Sequence, residues 1–295
     1  MRYKFLRFPG GKFKAVTFSY DDGFKLDTRL LEIFDKYNLK ATFNLNGDYI
    51  RNPGDQYLSL DEVKKYLINS RHEIAVHGDK HRLAGVCTPI ELTQDLLNCK
   101  IYLEEISGKI TRGMAYANTG VEYFENGMTY EDTKNVLKYC GIAYSRTIKT
   151  DSDYNIPEDW YKWNPNISDG SYGAKPDENG VLPFIKKVDD FLALNEEKCK
   201  CAWANPRIFT VYGHSLLIDM WGHWEKFEML CERLANRDDV WYATCIEIYD
   251  YVMAYRSLVF SADGRICYNP TLHKIWFVVD EKPYCIESGE TITLD

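Results

Sequence analysis

Short β-like runs alternate with amphipathic helical runs over about 250 of the 295 residues, and this constrains the fold most. "KAVTFS" precedes "DTRLLEIFDKYN", whose Leu30, Leu31, Phe34 and Tyr37 fall at helical spacing. "KATFNLN" precedes "SLDEVKKYLINS", with Ser59 and Glu62 in capping-box spacing. "HEIAVH" precedes "TPIELTQDLLNCKIYLEEISG", opened by Thr88 and Pro89 and followed by Gly108. "TRGMAYA" precedes "TYEDTKNVLKYCG", where Thr129 and Asp132 repeat the capping pattern. "IAYSRT" leads into residues 150–181, which are rich in Asp, Asn, Pro, Gly and aromatics and read as a long loop. A loop of that length inside a compact domain is often functional. The rhythm returns with "VLPFIKKVDDFLALNEE" as helix, "RIFTVYGHS" as strand and "WGHWEKFEMLCERLAN" as helix. "VWYATCIEIYDYVMAYRSL" reads as a strand running into a helix.

About seven β-α units in series imply an α/β fold with a parallel sheet covered by helices. At this length a closed or nearly closed barrel is expected over residues 1–258. Residues 259–295 change character, with turn signals at "ADG", "DEKP" and "ESGE" between β-rich runs. They predict a small antiparallel β appendage.

The net charge of -8 argues against a general nucleic-acid binder, which needs a basic surface to displace phosphate counterions. It argues equally against attraction to an anionic membrane. No apolar run approaches the roughly 18 residues of a membrane span. "MRYKFLRFPGGKFKAV" lacks the apolar core of a signal peptide, so a cytoplasmic location is expected, unless a secreted chain has been trimmed of its leader. The nine cysteines are scattered without a C-x-x-C and read as free, mostly buried thiols in a reducing compartment. Cys199 and Cys201, in "CKC", carry a weaker zinc or disulfide alternative.

Chemistry-bearing residues gather where predicted strands end, the edge at which parallel barrels place their sites. Asp21 and Asp22 end the first strand in "TFSYDDG". His77 ends the third, with His81 four residues on in "HGDKH". Tyr116 to Asn118 follow the fourth, and His214 ends "FTVYGHS". Two histidines and a carboxylate form a common catalytic zinc set with a position left open. Taken alone, "HGDKH" reads as two surface or capping histidines. Three of the six histidines at strand ends shift the balance toward a site. Neighbouring side chains at a strand end point in different directions. One carboxylate can therefore ligate a metal while the other faces the substrate. As a simple helix cap, Asp27 is the better candidate.

"SYDDG", "HGDKH" and "GHS", in this order and spacing, resemble the polysaccharide deacetylase family, the NodB-homology or carbohydrate esterase family 4 enzymes. The resemblance spans about residues 14–258. It implies a distorted, incomplete (β/α)7 barrel and a divalent metal, usually zinc. It also implies removal of acetyl groups from N-acetylated sugars or O-acetylated xylan, so the expected partner is an acetylated oligo- or polysaccharide. By the same resemblance Asp21 is the general base, Asp22, His77 and His81 bind the metal, and His214 is the general acid. Gly78 stands where the family carries Ser or Thr, whose hydroxyl supports the loop. The third motif, usually R-x-P-Y, departs most. Either Arg112 is the arginine that holds the base, or "AYANTG" is the motif and the arginine is absent. In both registers a backbone N–H near Tyr116 to Asn118 is the oxyanion donor. The fourth motif, an Asp and a Trp, is blurred; "EDWYKWNPN" offers Trp160 and Trp163, with Trp163 taken as a groove residue. Two rival readings remain: an amidohydrolase of this fold acting on a small cyclic amide or imide, and a non-catalytic carbohydrate-binding barrel.

Overall fold

The computed structural model describes residues 2–195 and 204–295. The strands are β1 (Lys4–Arg7), β2 (Lys14–Asp22), β3 (Ala41–Leu45), β4 (Glu73–Val76), β5 (Gly113–Ala115), β6 (Tyr144–Arg146), β7 (Arg207–Gly213), β8 (Val240–Tyr242), β9 (Val259–Phe260), β10 (Ile266–Tyr268), β11 (Ile275–Val279), β12 (Lys282–Ile286) and β13 (Thr291–Thr293). The helices are α1 (Asp27–Lys36), α2 (Gly47–Arg51), α3 (Leu60–Val63), α4 (Pro89–Ser107), α5 (Tyr130–Tyr139), α6 (Pro183–Leu192), α7 (Ser215–Met220), α8 (Trp224–Leu234) and α9 (Cys245–Arg256). The predicted caps form: Ser59, Thr88 and Thr129 each accept from the backbone N–H three residues on, with reciprocal bonds from Glu62, Glu91 and Asp132.

The main sheet runs β6-β5-β4-β3-β2-β7 in spatial order, all parallel, with β8 beside the first half of β2. Every residue of β2 except Asp22 is buried, because helices cover one face and the curled sheet the other. Phe18, Phe34, Phe43 and Phe227 pack as one aromatic cluster between sheet and helices.

The 150–181 stretch, expected as a loop, also serves the sheet. Trp163 N–H donates to Ser145 O (3.2 Å), and Thr147 N–H donates to Trp163 O (2.9 Å). Asn166 N–H donates to Thr210 O (2.7 Å), and Tyr212 N–H donates to Ile167 O (2.9 Å). The segment thus bridges the two edge strands, β6 and β7, by isolated bonds in place of a regular ladder. Periodicity could not show this, because the bridging residues lack a strand's alternation.

The C-terminal strands form two antiparallel sheets, β13-β10-β9 and β1-β11-β12. The N-terminal strand β1 therefore packs with the C-terminal appendage. Tyr251 ties this unit to α9, donating to Arg7 O and accepting from Trp276 N, both at 3.0 Å. Among the described residues, no helix is long and apolar enough to cross a membrane. The described cysteines are free, six buried and Cys285 exposed. Cys199 and Cys201 lie outside the described residues.

Candidate active site

At the end of β2 the two carboxylates, expected to point in different directions, face one centre: Asp21 Oδ2 and Asp22 Oδ1 lie 3.8 and 3.6 Å from His77 Nε2. Asp22 has φ +77, a left-handed conformation uncommon outside glycine, which takes it out of strand alternation and lets its carboxylate share neighbours with that of Asp21. Asp22 Oδ1 lies 3.6 Å from His77 Nε2 and 3.4 Å from His81 Nε2. The ligand atoms of Asp22, His77 and His81 all lie within 4.8 Å of one another. The ring nitrogen His77 Nδ1 donates to Ala115 O at 2.9 Å, which leaves the lone pair on Nε2. His77 Nε2 and Asp22 Oδ1 are both buried without a hydrogen-bond partner. Such orphans are rare in interiors, and a cation between them would satisfy both. The residues therefore fit a divalent metal.

The ligand loop is clamped from three sides. Asn46 donates to His77 O (2.7 Å) and Gly78 O (3.1 Å). Asp95 of α4 accepts from Asp79 N–H (3.0 Å) and Lys80 N–H (2.9 Å). Asn118 donates to His81 O (3.0 Å). Gly78 has φ +80, and a Cβ there would sit 2.5 Å from Asp95 Oδ2. The Asp95 carboxylate thus supports the loop where the family uses a Ser or Thr hydroxyl, and it requires glycine at position 78.

Asp21 is fully buried and is held by Arg146 at the end of β6. Both of its oxygens accept from Arg146 Nη2, Oδ1 at 2.5 Å, and Asn44 Nδ2 donates to Oδ1 at 2.8 Å. Burial alone would raise the Asp21 pKa; the charge of Arg146, with those of His77 and His214, outweighs it and lowers the pKa below the ordinary value. The expectation for Arg112 is corrected. Arg112 pairs with Asp250 of α9 (2.9 and 2.5 Å), because it precedes β5 at the opposite end of the strands. The arginine that holds Asp21 comes from the next strand, in "YSRT".

His214, after β7, brings Nε2 within 3.9 Å of Asp21 and 4.0 Å of Asp22. Its Nδ1 bonds Asp169 Oδ2 at 2.8 Å, and its backbone N–H also donates to that carboxylate. Burial would lower the His214 pKa, but the Asp169 bond and the charges of Asp21, Asp169 and Asp22 raise it to about 9. Gly213 makes this approach feasible, since a Cβ there would lie 2.0 Å from Asp169 Oδ1.

Sequence reasoning missed Arg146 and Asp169. Arg146 had a usable signal, a charged residue at a strand's C-terminal end. Asp169 sits in the aperiodic stretch, where only the "SDG" turn marks it. Three further expectations change. Trp163 is 2% exposed, donates to Thr210 Oγ1 (3.0 Å) and packs on Tyr144 and Trp160, so it is core and not groove. The Tyr116 ring is fully buried, and its N–H already donates to Arg146 O (3.0 Å). The N–H groups of Ala117 and Asn118 have no hydrogen-bond partner among the described residues. Asp27 does not cap α1: Leu26 holds the cap position, and the buried Asp27 carboxyl accepts from Ser215 Oγ at 2.6 Å.

The model of the polysaccharide deacetylase family matches residues 5–144, the interval that holds Asp21, Asp22, His77 and His81. A Mycobacterium smegmatis protein assigned to the polysaccharide deacetylases superposes with a TM-score of 0.58 at 20% identity, covering 85% of this chain and 94% of that one. One from Pseudomonas aeruginosa with the same assignment gives 0.58 at 15% identity, over 82% and 92%. The Puue allantoinase gives 0.58 at 13% identity, over 82% and 91%. These likenesses establish the shared barrel. No curated protein matches the chain in sequence.

Proposed function

We propose, from the match of residues 5–144 to the polysaccharide deacetylase family model, that this protein is a metal-dependent hydrolase that removes acetyl groups from N- or O-acetylated carbohydrates. One observation carries the reading: an Asp-His-His set with unpartnered buried atoms on Asp22 and His77, beside a second carboxylate and a histidine, each with its own buried partner. A binder of sugars needs neither Asp21 nor His214 so equipped.

Asp22, His77 and His81 would hold the cation, with zinc the best match to two imidazoles and one carboxylate. A divalent cation there supplies Lewis acidity toward the acyl carbonyl and lowers the pKa of water. Asp21, kept ionised by Arg146, accepts the proton of the attacking water. Asn44 and Arg146 fix its carboxylate in place, so little reorganisation accompanies the transfer. The Ala117 and Asn118 amides are free to donate to the developing oxyanion. His214 gives its Nε2 proton to the leaving nitrogen or oxygen, while Asp169 on Nδ1 fixes the ring and stabilises the cation.

The test pairs metal analysis with acetate release from chitooligosaccharides and acetylated xylan. Asp21→Asn should abolish turnover and keep the metal. Metal loss with retained turnover would overturn the roles. Acetate from neither panel, with metal bound, would favour a small cyclic amide as substrate.

A further inference from the structure

We propose that Tyr49 and Tyr57 form a sugar-binding rim beside the metal site, contacting a pyranose ring of the substrate on the His81 side. This deepens the deacetylase reading and rests on it.

Four rings lie in a near-parallel series. Phe24 stacks on Tyr57 (centroids 5.1 Å apart, planes at 21°), Tyr57 on Tyr49 (4.2 Å, 24°), and Tyr49 lies beside His81 (6.3 Å, 23°). The series begins inside the protein, at the buried Phe24, and its two tyrosines are partly exposed. Its position is fixed from both ends. Leu58 N–H donates to Gly23 O (2.8 Å) and Lys25 N–H to Gln56 O (3.0 Å), which pins the Tyr57 segment to the turn that follows Asp22. Asp48 N–H donates to Asp79 O (3.0 Å) and Arg51 pairs with Asp79 (2.5 Å), which pins α2 and its Tyr49 to the His77–His81 loop. The rim is therefore hydrogen-bonded both to the turn after Asp22 and to the His77–His81 loop.

The chemistry suits a sugar. Tyr57 is stacked on both faces, between Phe24 and Tyr49, so the partly exposed pair offers a sugar its ring edges and two phenols for hydrogen bonds to the hydroxyls. A rim used only to brace His81 would need neither hydroxyl.

The experiment measures binding of N,N′,N″-triacetylchitotriose by calorimetry, and KM and kcat for acetate release. It uses metal-loaded wild type, Tyr49→Ala, Tyr57→Ala, Tyr49→Phe and Tyr57→Phe. Zinc content and melting temperature of each variant check the site and the fold. The Ala variants should weaken binding and raise KM about tenfold, with kcat within about threefold and zinc retained. The Phe variants should fall between these and wild type. Unchanged binding and KM in both Ala variants, while wild type binds and turns over, would overturn the rim alone. Zinc loss or a fall in kcat at constant KM would reduce the pair to a brace for His81. Failure of wild type to bind or cleave the trisaccharide would overturn the rim as proposed, and acetate release from acetylated xylan would then show whether the deacetylase reading survives.

Discussion

Replacing Arg146 with Met would remove the guanidinium that pairs with a fully buried carboxylate. Arg146 is 0% exposed, and its guanidinium holds both oxygens of Asp21. Deleting one partner of a buried ion pair leaves the other charge without compensation and costs about 3–5 kcal/mol. In a chain of this size each kcal/mol moves the melting temperature by about 2–4 °C. Arg146→Met should therefore melt roughly 6–20 °C below wild type. Asp21→Asn strands the guanidinium instead and should also destabilise. The double variant Arg146→Met, Asp21→Asn has no buried charge left to compensate. Its loss should fall short of the sum of the single losses by more than about 1 kcal/mol. Arg112→Met is the control: its partner Asp250 is a partly exposed surface group, so the cost should be about 0–1 kcal/mol. Urea unfolding of the four variants, metal-free and metal-loaded, measures all of this. Additivity within about 0.5 kcal/mol, or an Arg146→Met loss no greater than that of Arg112→Met, would refute the argument.

Other consequences can be checked on the same material. Asp169→Asn removes the hydrogen bond and one of the charges that raise the His214 pKa to about 9, so the pKa falls although Asp21 and Asp22 remain. Because His214 acts protonated, activity disappears as pH rises through its pKa, and the alkaline limb of the kcat profile should shift to lower pH. Asp95→Ala frees two backbone N–H groups of the ligand loop and should weaken zinc affinity about 10–100-fold in a chelator competition assay. Glu73, despite hydrogen bonds from Ile246 N–H, Thr42 and Tyr144, has its pKa raised by burial from 4.5 to about 7. A raised folded-state pKa stabilises fully below the unfolded value and is lost as pH rises through the folded one. Wild-type stability should fall between about pH 4.5 and 7 through this group, and Glu73→Gln should flatten that slope in melting experiments.

The barrel was legible because its helices carry local signals: Ser59, Thr88 and Thr129 cap where their spacing says, and β2 reads as one apolar run ending in two acids. The metal set was legible for a similar reason, since His77 and His81 share one loop and Asp22 ends a strand. Arg146 and Asp169 were not. Each acts on a residue far away in the chain, and the pairing is decided by which strand ends meet across the sheet. Arg112 was plausible by sequence distance, but it lies at the wrong end of its strand. Trp163 was misread because an aromatic in an irregular stretch gives no clue to whether that stretch is wall or rim.

Zinc stoichiometry by elemental analysis, on chelator-stripped and reloaded wild type, Asp22→Ala, His77→Ala and Asp21→Asn, tests the central assignment most directly. The account predicts one zinc per chain in wild type and Asp21→Asn, and substoichiometric zinc in the other two. Full zinc in Asp22→Ala and His77→Ala, or its loss in Asp21→Asn alone, would contradict the division of labour between the paired carboxylates.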